Sequence, residues 1–435
     1  MKPTVQVSPA PCRIAYEPPG GIESWNRDRL AAWQLERLRE VVSYARVRVP
    51  FYARLWADAR VGEDSLSSME DIGRLPIVEK QDLVNAGQSW SASTRGPIGF
   101  STRGTSGEPL LVWLSPEEEE AYIAPTMRGF RWAGFRSGMT ALLMSPVWHR
   151  LAACEVHAVA CLGGRSAFFW GSMGSDYMDS FLGTLGRVSP QFVTTTAPFL
   201  LSLIRRDREH PLALRDLFRS VCSIVAVGLP LTPRLREFLR DSLQVGDIFE
   251  RSGTQEGAAL DECSMHSAPH AHEDVCYLEV LDAGGRAVPA GTRGELVVTK
   301  LTAAGSIFVR YRTGDIAAFL PGACPCGCGF RRLKIYGRPE SSVMAGGRRV
   351  TAYDARLCVE EDPALIGRNV LLIRNGATVL NIAIEGAATN QEKLVGRMRE
   401  WLGVARVQIT WLGDLKINWG FRQIIEGREI RRLAG

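Results

Sequence analysis

Apolar runs alternate with amphipathic stretches through the middle of the chain. Residues 141–144, 192–195 and 221–227 are largely apolar, as strands are when a sheet covers both of their faces. Between them, residues 214–218 and 235–239 carry apolar side chains at the three- and four-residue spacing of a helix. This alternation predicts a mostly parallel sheet with helices packed on it.

Different patterns precede and follow this region. Residues 29–38 have helical spacing, and the helical segment is expected to continue to residues 49–52. Residues 277–281 and 295–299 alternate with a period of two between Gly/Pro turns, which predicts a small β subdomain.

The last hundred residues have a pattern of their own. After Arg338, residues 369–373 and 379–384 read as strands, and residues 390–402 read as a helix. We therefore predict an α/β protein with two domains. Residues 1–337 form a large N-terminal domain of mostly parallel sheets with the β subdomain, and residues 338–435 form a small α+β C-terminal domain.

Composition narrows the class of protein. The 435 residues are 46% hydrophobic and 23% charged, which suits a globular protein with a large core. The net charge of +5, from 52 basic and 47 acidic residues, is too small to predict a nucleic-acid or membrane surface. No leader pattern and no apolar run of about 20 residues is evident, so we expect a cytoplasmic protein, monomeric or homodimeric.

Two motifs point to a nucleotide. Residues 101–109 read STRGTSGEP, and residues 311–315 read YRTGD. Glycines let a backbone approach phosphate, hydroxyls donate to it, and an aspartate accepts both hydroxyls of a ribose. Each motif alone is more often a surface loop or a turn. Together they suggest an ATP site.

The order of these motifs along the chain resembles the phenylacetate-CoA ligase branch of the adenylate-forming enzymes. The likeness includes VPFY at residues 49–52, LPIVEKQDL at 75–83, the glycine loop at 101–109, and GRPE at 337–340. Such enzymes activate a carboxylate with ATP and release pyrophosphate. The resemblance implies that the C-terminal domain is mobile and rotates about Arg338 between two half-reactions.

The resemblance also implies roles for particular residues. Asp315 corresponds to the aspartate that binds the ribose, Glu256 to the glutamate that holds Mg²⁺, Thr254 to a hydroxyl on the phosphates, and Phe249 to an aromatic residue near adenine. Glu256 as an ordinary solvated carboxylate remains the alternative. The residues expected to wrap the phosphates of ATP or AMP and to line the adenine are Ser101, Thr102, Arg103, Gly104, Thr105, Ser106, Gly107, Val227, Gly228, Leu229 and Pro230.

Three positions depart from the family pattern. Glu108 stands where the loop usually has a lysine, and Leu229 where a glutamate is usual. The catalytic lysine near the C-terminus is replaced by Arg428, in the sequence Glu-Gly-Arg. Three alternatives follow: Arg428 serves in place of the lysine, Lys416 replaces it, or the cleft has another use. The planar guanidinium of arginine is not equivalent to the compact ammonium of lysine.

Cysteines and histidines predict a metal. Cys263, His270, Cys324 and Cys326 are ligands of the kind that tetrahedral zinc uses, and relatives in this branch carry zinc at these positions. We expect a structural Zn²⁺, because adenylation requires no metal-activated water. Free thiols are the alternative, and three further residues are candidate substitutes as ligands: His266, His272 and Cys328.

The leading hypothesis is an ATP-dependent ligase that forms an acyl-adenylate from a small carboxylic acid and passes the acyl group to coenzyme A or to an amine. A second hypothesis is a degenerate homologue that binds nucleotide without full turnover. A kinase with a P-loop is disfavoured, because the glycine loop lacks the Gly-Lys-Ser/Thr ending. Six residues are candidate walls of an acyl pocket that would favour a small aromatic acid, if they line that pocket rather than the core: Trp148, His149, Phe168, Phe169, Trp170 and Pro198.

Overall fold

The computed structural model describes most of the chain, namely residues 20–62, 65–90, 98–101, 108–144, 150–169, 175–254, 256–302, 305–374, 378–413 and 424–426. The helices are α1 Arg27–Arg48, α2 Pro50–Asp58, α3 Lys80–Ala86, α4 Pro116–Ala121, α5 Ile123–Trp132, α6 Arg150–Cys161, α7 Ser175–Val188, α8 Ala197–Glu209, α9 Leu214–Phe218, α10 Pro233–Leu243, α11 Ala352–Val359 and α12 Gln391–Leu402. Among these described helices, none is both long enough and apolar enough to cross a bilayer.

The strands are β1 Ile98–Ser101, β2 Leu111–Leu114, β3 Thr140–Leu143, β4 Arg165–Ala167, β5 Phe192–Thr195, β6 Ser223–Val227, β7 Asp247–Gly253, β8 Ala259–Asp261, β9 His270–Ala271, β10 Cys276–Leu281, β11 Gly294–Lys300, β12 Tyr311–Phe319, β13 Leu333–Gly337, β14 Ser342–Ala345, β15 Arg348–Thr351, β16 Val370–Arg374, β17 Leu380–Ile384, β18 Val407–Trp411 and β19 Ile424–Glu426.

A seven-stranded sheet of order β4-β3-β5-β6-β7-β8-β9 forms the centre of the protein. Its strands β4 to β7 are parallel, and β8 and β9 extend it as antiparallel strands. Every residue of β5 is buried, as expected for a strand covered on both faces. Separate apolar clusters lie against the sheet, one around Phe218 and one around Phe130. The predicted α/β fold class is confirmed.

The β subdomain is a four-stranded antiparallel sheet of order β10-β11-β12-β13. Leu278 pairs with Val298 across β10 and β11, and both side chains belong to one buried cluster. This sheet brings Asp315 of the YRTGD motif, which begins β12, close enough to Glu256, which follows β7 of the large sheet, for their charges to interact.

The opening helical segment divides into two helices. Val49 is extended and ends α1, and Pro50 begins α2, because proline lacks an amide hydrogen and suits the first turn of a helix. The hydroxyl of Tyr52 in α2 donates to the Ile307 carbonyl oxygen at 3.1 Å and accepts from the Val309 amide at 3.0 Å. Helix α2 is therefore bonded to the segment that leads into β12.

We call the residues from 338 onward the C-terminal unit. It contains the β14–β15 hairpin and a four-stranded sheet of order β18-β17-β16-β19, with α11 and α12 packed on them. Its apolar side chains, such as Leu372, Ile382 and Met398, form a cluster that is distinct from those of the large sheet.

Candidate functional site

The carboxyl ends of β6 and β7 lie side by side, because the two strands are parallel neighbours. The segment of residues 227–230 leaves β6 at this edge, and the Gly228 amide donates to the Arg251 carbonyl oxygen of β7 at 3.1 Å. Gly228 has a φ of 89°, a conformation that favours glycine. The two segments expected to meet the adenine and the phosphates thus share one edge of the sheet, where α/β proteins commonly bind ligands.

Glu256 follows β7 and is buried to 9% exposure. Burial raises the pKa of its carboxyl, and the negative charge of Asp315 adds to that increase. A hydrogen bond with Thr254 and the charge of Arg338 act in the opposite direction. Because burial disfavours the charged form of this carboxyl, a cation bound to it would stabilise the carboxylate, as Mg²⁺ would at this position.

Asp315 and Arg338 form an ion pair across the β subdomain. The Arg338 Nε lies 3.1 Å from Asp315 Oδ1, and Asp315 is 7% exposed. Burial raises the pKa of the Asp315 carboxyl, although Arg338 favours its charged form. Gly314, with a φ of 76°, turns the chain just before this aspartate.

The LPIVEKQDL and YRTGD motifs, which are far apart in sequence, are hydrogen-bonded to each other. The Val78 amide donates to the Arg310 carbonyl oxygen at 2.9 Å, and the Arg312 amide donates to the Val78 carbonyl oxygen at 3.0 Å. The Arg312 guanidinium also lies 2.7 Å from a Glu79 oxygen. Residues 75–83 therefore support the strand that carries Asp315.

Three buried side chains behind Glu256 were missed by the sequence analysis. The Tyr122 hydroxyl donates to the Gly257 carbonyl oxygen at 2.8 Å. Lys300, paired with Glu118 at 2.5 Å, packs so closely that a Cβ on Gly257 would lie 2.6 Å from its Cγ. Because Tyr122 lies between α4 and α5, Lys300 ends β11 and Glu118 is in α4, no local sequence pattern connects them to Glu256.

Phe249, predicted to lie near adenine, sits in the middle of β7. Its side chain is 5% exposed and belongs to the core cluster of Phe130 and Phe192, 5.0 Å from the His266 ring. The ring therefore has no open face for a base in this structure.

Ser252, at the end of β7, has a buried hydroxyl without a hydrogen-bond partner in the described part of the chain.

Of the remaining predicted residues, the structure places some, and others lie outside the described ranges. Ser101 ends β1, paired with Leu111, and Glu108 is exposed. Phe169 stacks edge-on against Tyr177 and Phe181 at 4.9 and 5.4 Å, Phe168 is 39% exposed, and Pro198 is in the first turn of α8. The residues outside the described ranges are Thr102, Arg103, Gly104, Thr105, Ser106, Gly107, Trp148, His149, Trp170, Lys416 and Arg428.

The four predicted zinc ligands converge. One ligand atom from each of Cys263, His270, Cys324 and Cys326 lies within 4.8 Å of all the others. The sulfurs of Cys263 and Cys324 are 3.7 Å apart, and the Cys326 sulfur is 3.4 Å from His270 Nε2. With Zn–S bonds of about 2.3 Å, a tetrahedral ion holds two sulfurs about 3.8 Å apart. The residues present therefore fit Zn²⁺.

Neighbouring groups orient this set of ligands. His270 Nδ1 lies 2.9 Å from the Phe330 carbonyl oxygen, so Nε2 faces the cysteines, and the Cys328 amide donates to the Cys326 sulfur at 3.4 Å. The candidate substitutes His266 and His272 have other partners. His272 is fully buried between Asp261 and Arg128, and His266 contacts Asp247 and Glu262.

Comparison with known proteins supports the resemblance that the sequence motifs indicate. No protein-family model matches the chain. The phenylacetate-coenzyme A ligase of Thermus thermophilus is 26% identical over 377 residues, which cover 84% of this chain and 82% of that protein. The resemblance to phenylacetate-CoA ligases is confirmed.

Solved structures share the fold. That of 2-hydroxyisobutyryl-CoA ligase in the postadenylation state, in complex with R3-HIB-AMP, has a TM-score of 0.83 at 21% identity, covering 97% of this chain and 96% of that one. The same ligase in complex with 2-HIB-AMP and CoA, in the thioesterification state, has a TM-score of 0.68 at 22% identity with the same coverage. The phenylacetate-CoA ligase-like chain therefore has the fold of an adenylate-forming CoA ligase.

Proposed function

We propose that this protein is an AMP-forming ligase that activates a small carboxylic acid with ATP and transfers the acyl group to coenzyme A. The observation that carries the proposal is the convergence of Glu256, Asp315 and Arg338 after β7, whose neighbour β6 leads into the segment of residues 227–230. The similarity to phenylacetate-coenzyme A ligases along 84% of the chain supports the same reaction class.

In the first half-reaction, a carboxylate oxygen of the acid attacks the α-phosphorus of ATP, and pyrophosphate leaves. Asp315 would accept hydrogen bonds from the ribose hydroxyls, with Arg338 holding its carboxylate in position. Glu256 would hold Mg²⁺, which neutralises phosphate charge when bound. Arg428 or Lys416 would stabilise the charge that develops on the phosphate and the carboxylate.

In the second half-reaction, the thiol of coenzyme A attacks the acyl carbonyl, and AMP leaves as the anion. The protein needs no nucleophile of its own, because the acyl-adenylate is already activated. An amine in place of the thiol is the alternative acceptor. Zn²⁺ on Cys263, His270, Cys324 and Cys326 would join the loop after β8 to the β subdomain and take no part in the chemistry.

We further propose that the acid is aromatic. Phe169, which follows β4, makes an edge-on ring contact with Tyr177 of α7 at 4.9 Å, and Tyr177 makes one with Phe199 of α8 at 5.7 Å. Such a cluster suits a flat apolar ring.

Pyrophosphate release from Mg-ATP tests the proposal, with a panel of aromatic and aliphatic acids and with coenzyme A, an amino acid, or neither as acceptor. We expect release that depends on an aromatic acid and turns over repeatedly only with coenzyme A. ATP binding without release from any acid would contradict the proposal and favour the degenerate homologue.

A further inference from the structure

The C-terminal unit is held against the large sheet by polar contacts between side chains distant in sequence. Three of them, which we call the docking contacts, join α8 and the segment after β6 to the C-terminal unit. They are Arg205 with Glu385 at 3.1 Å, Arg356 with the Pro230 carbonyl oxygen at 2.8 Å, and the Thr232 hydroxyl with the Glu360 carboxylate.

Both carboxylates of the docking contacts are removed from water. The side chain of Glu385 is 1% exposed and also accepts hydrogen bonds from the backbone and side-chain amides of Asn369, at 3.0 and 2.6 Å. Glu360 is 1% exposed. Glu385 has a second cation within its own unit, Arg368 at 3.8 Å, but Arg205 is the closer partner at 3.1 Å, and losing it would make the buried carboxylate costlier to keep charged. The Arg205 contact therefore favours the docked arrangement.

The docking contacts reach the segment proposed to line the adenine. Pro230 is the last residue of that segment, and Thr232 caps α10 two residues later by accepting from the Leu235 amide. Leu231, between them, donates its amide to Glu250 of β7 at 3.0 Å. The segment is thus held by β7 on one side and by the C-terminal unit on the other.

The orientation of the C-terminal unit relative to the large sheet resembles one of two states seen in a solved ligase of the same fold. Two structures of the same ligase cover equal shares of this chain, yet the TM-score is 0.83 for the postadenylation state and 0.68 for the thioesterification state. Because the score falls when parts of equal fold are arranged differently, the arrangement seen here corresponds better to the state that follows adenylation.

We propose that Arg205 and Arg356 are positioning residues that hold the C-terminal unit in the orientation of the state that follows adenylation and oppose its rotation to the orientation for thioester formation. They thereby set what fraction of the protein has its C-terminal unit oriented for each half-reaction. This inference rests on the proposed function. Neither residue touches a reacting atom; each acts through the orientation of the C-terminal unit and the segment of residues 227–230.

The two half-reactions can be measured separately. The first is single-turnover formation of acyl-adenylate from ATP and phenylacetate without coenzyme A, and the second is thioester formation from prepared phenylacetyl-adenylate and coenzyme A. We expect Arg205→Gln to lower the ratio of the first rate to the second about tenfold, the effect of one partly buried ion pair on a two-state equilibrium. Arg205→Lys should restore part of that ratio.

A neighbouring arginine provides the matched control. Arg206 is next to Arg205 on α8, but it pairs with Asp179 of α7 at 2.7 Å and makes no docking contact. Arg206→Gln should leave the ratio unchanged. Equal loss of both rates in Arg205→Gln, or no change in their ratio, would overturn the inference.

Small-angle X-ray scattering gives a readout that does not depend on catalysis. Arg205→Gln and Arg356→Gln should enlarge the radius of gyration in the presence of AMP, and Arg206→Gln should not. If the native protein forms no acyl-adenylate from any acid, the proposed function fails. The docking role is then judged by scattering, where equal radii for the native protein and both variants would overturn it.

Discussion

Lys300 and Glu118 form an ion pair that solvent does not reach. Both side chains are 0% exposed, and the Lys300 ammonium lies 2.5 Å from a Glu118 oxygen and 2.6 Å from the Ser306 carbonyl oxygen. The stem of Lys300 packs against Gly257, the residue after Glu256. We predict that Lys300→Met destabilises the fold and disturbs the loop that carries Glu256.

The expected cost follows from the uncompensated charge. Removing one partner of a buried ion pair costs about 3–5 kcal/mol, because the other charge remains buried. For a large domain, each kcal/mol lowers the Tm by roughly 2 °C, so Lys300→Met should melt about 6–10 °C below the native protein. Replacing both residues, as Lys300→Met with Glu118→Leu, should recover most of this loss.

Differential scanning calorimetry measures the effect, with an exposed ion pair as the control. Arg286 pairs with Asp282 at 3.1 Å, but its side chain is 84% exposed, so Arg286→Gln should cost less than about 1 kcal/mol. The reasoning would be refuted if Lys300→Met lowered the Tm no more than Arg286→Gln, or if the double replacement were as unstable as the single one.

Three further predictions concern ligands, metal and pH. Asp315→Ala should weaken ATP and AMP binding by roughly 10–100-fold in calorimetry, because hydrogen bonds from ribose to a carboxylate are lost; unchanged affinity would contradict its role. The native protein should contain one Zn²⁺ per chain by elemental analysis, and Cys326→Ser should lose it and melt at a lower temperature; a full zinc content in that variant would exclude Cys326 as a ligand. Contacts with Asp247 and Glu262 raise the pKa of His266 from 6.5 to about 9 although burial opposes this. The protonated His266 therefore stabilises the fold fully below pH 6.5, and this stabilisation is lost as the pH rises through 9. After allowance for solvent screening, His266→Asn should lower the free energy of unfolding by about 1–2 kcal/mol at pH 6 and by much less at pH 10. An equal loss of unfolding free energy at pH 6 and pH 10 in urea denaturation would exclude the charge of His266 as the cause of the loss.

Local patterns predicted the secondary structure because each element carries its own signal. The apolar run at Phe192–Thr195 is β5 at those bounds, and the amphipathic stretch predicted at residues 390–402 is α12, beginning at Gln391. The predicted strand at 221–227 begins two residues later, at Ser223. Where the signal is local and periodic, the sequence is sufficient.

Contacts between distant elements could not be predicted in this way. The pairing of Lys300 with Glu118 spans 182 residues, and that of Arg205 with Glu385 spans 180, so no spacing rule relates the partners. Phe249 was assigned to the adenine from its place in a motif, yet strand alternation directs its ring into the core. The convergence of the four predicted zinc ligands could be anticipated from the sequence because cysteine and histidine are chemically distinctive.

In the proposed reaction, a carboxylate oxygen of the acid attacks the α-phosphorus of ATP. Mass spectrometry of AMP formed from ATP, coenzyme A and phenylacetate labelled with ¹⁸O in both carboxylate oxygens tests this step directly. We expect each AMP to carry one ¹⁸O atom, because the bond between the carbonyl carbon and the bridging oxygen breaks in the transfer to coenzyme A. Unlabelled AMP, or label found in inorganic phosphate instead, would contradict it.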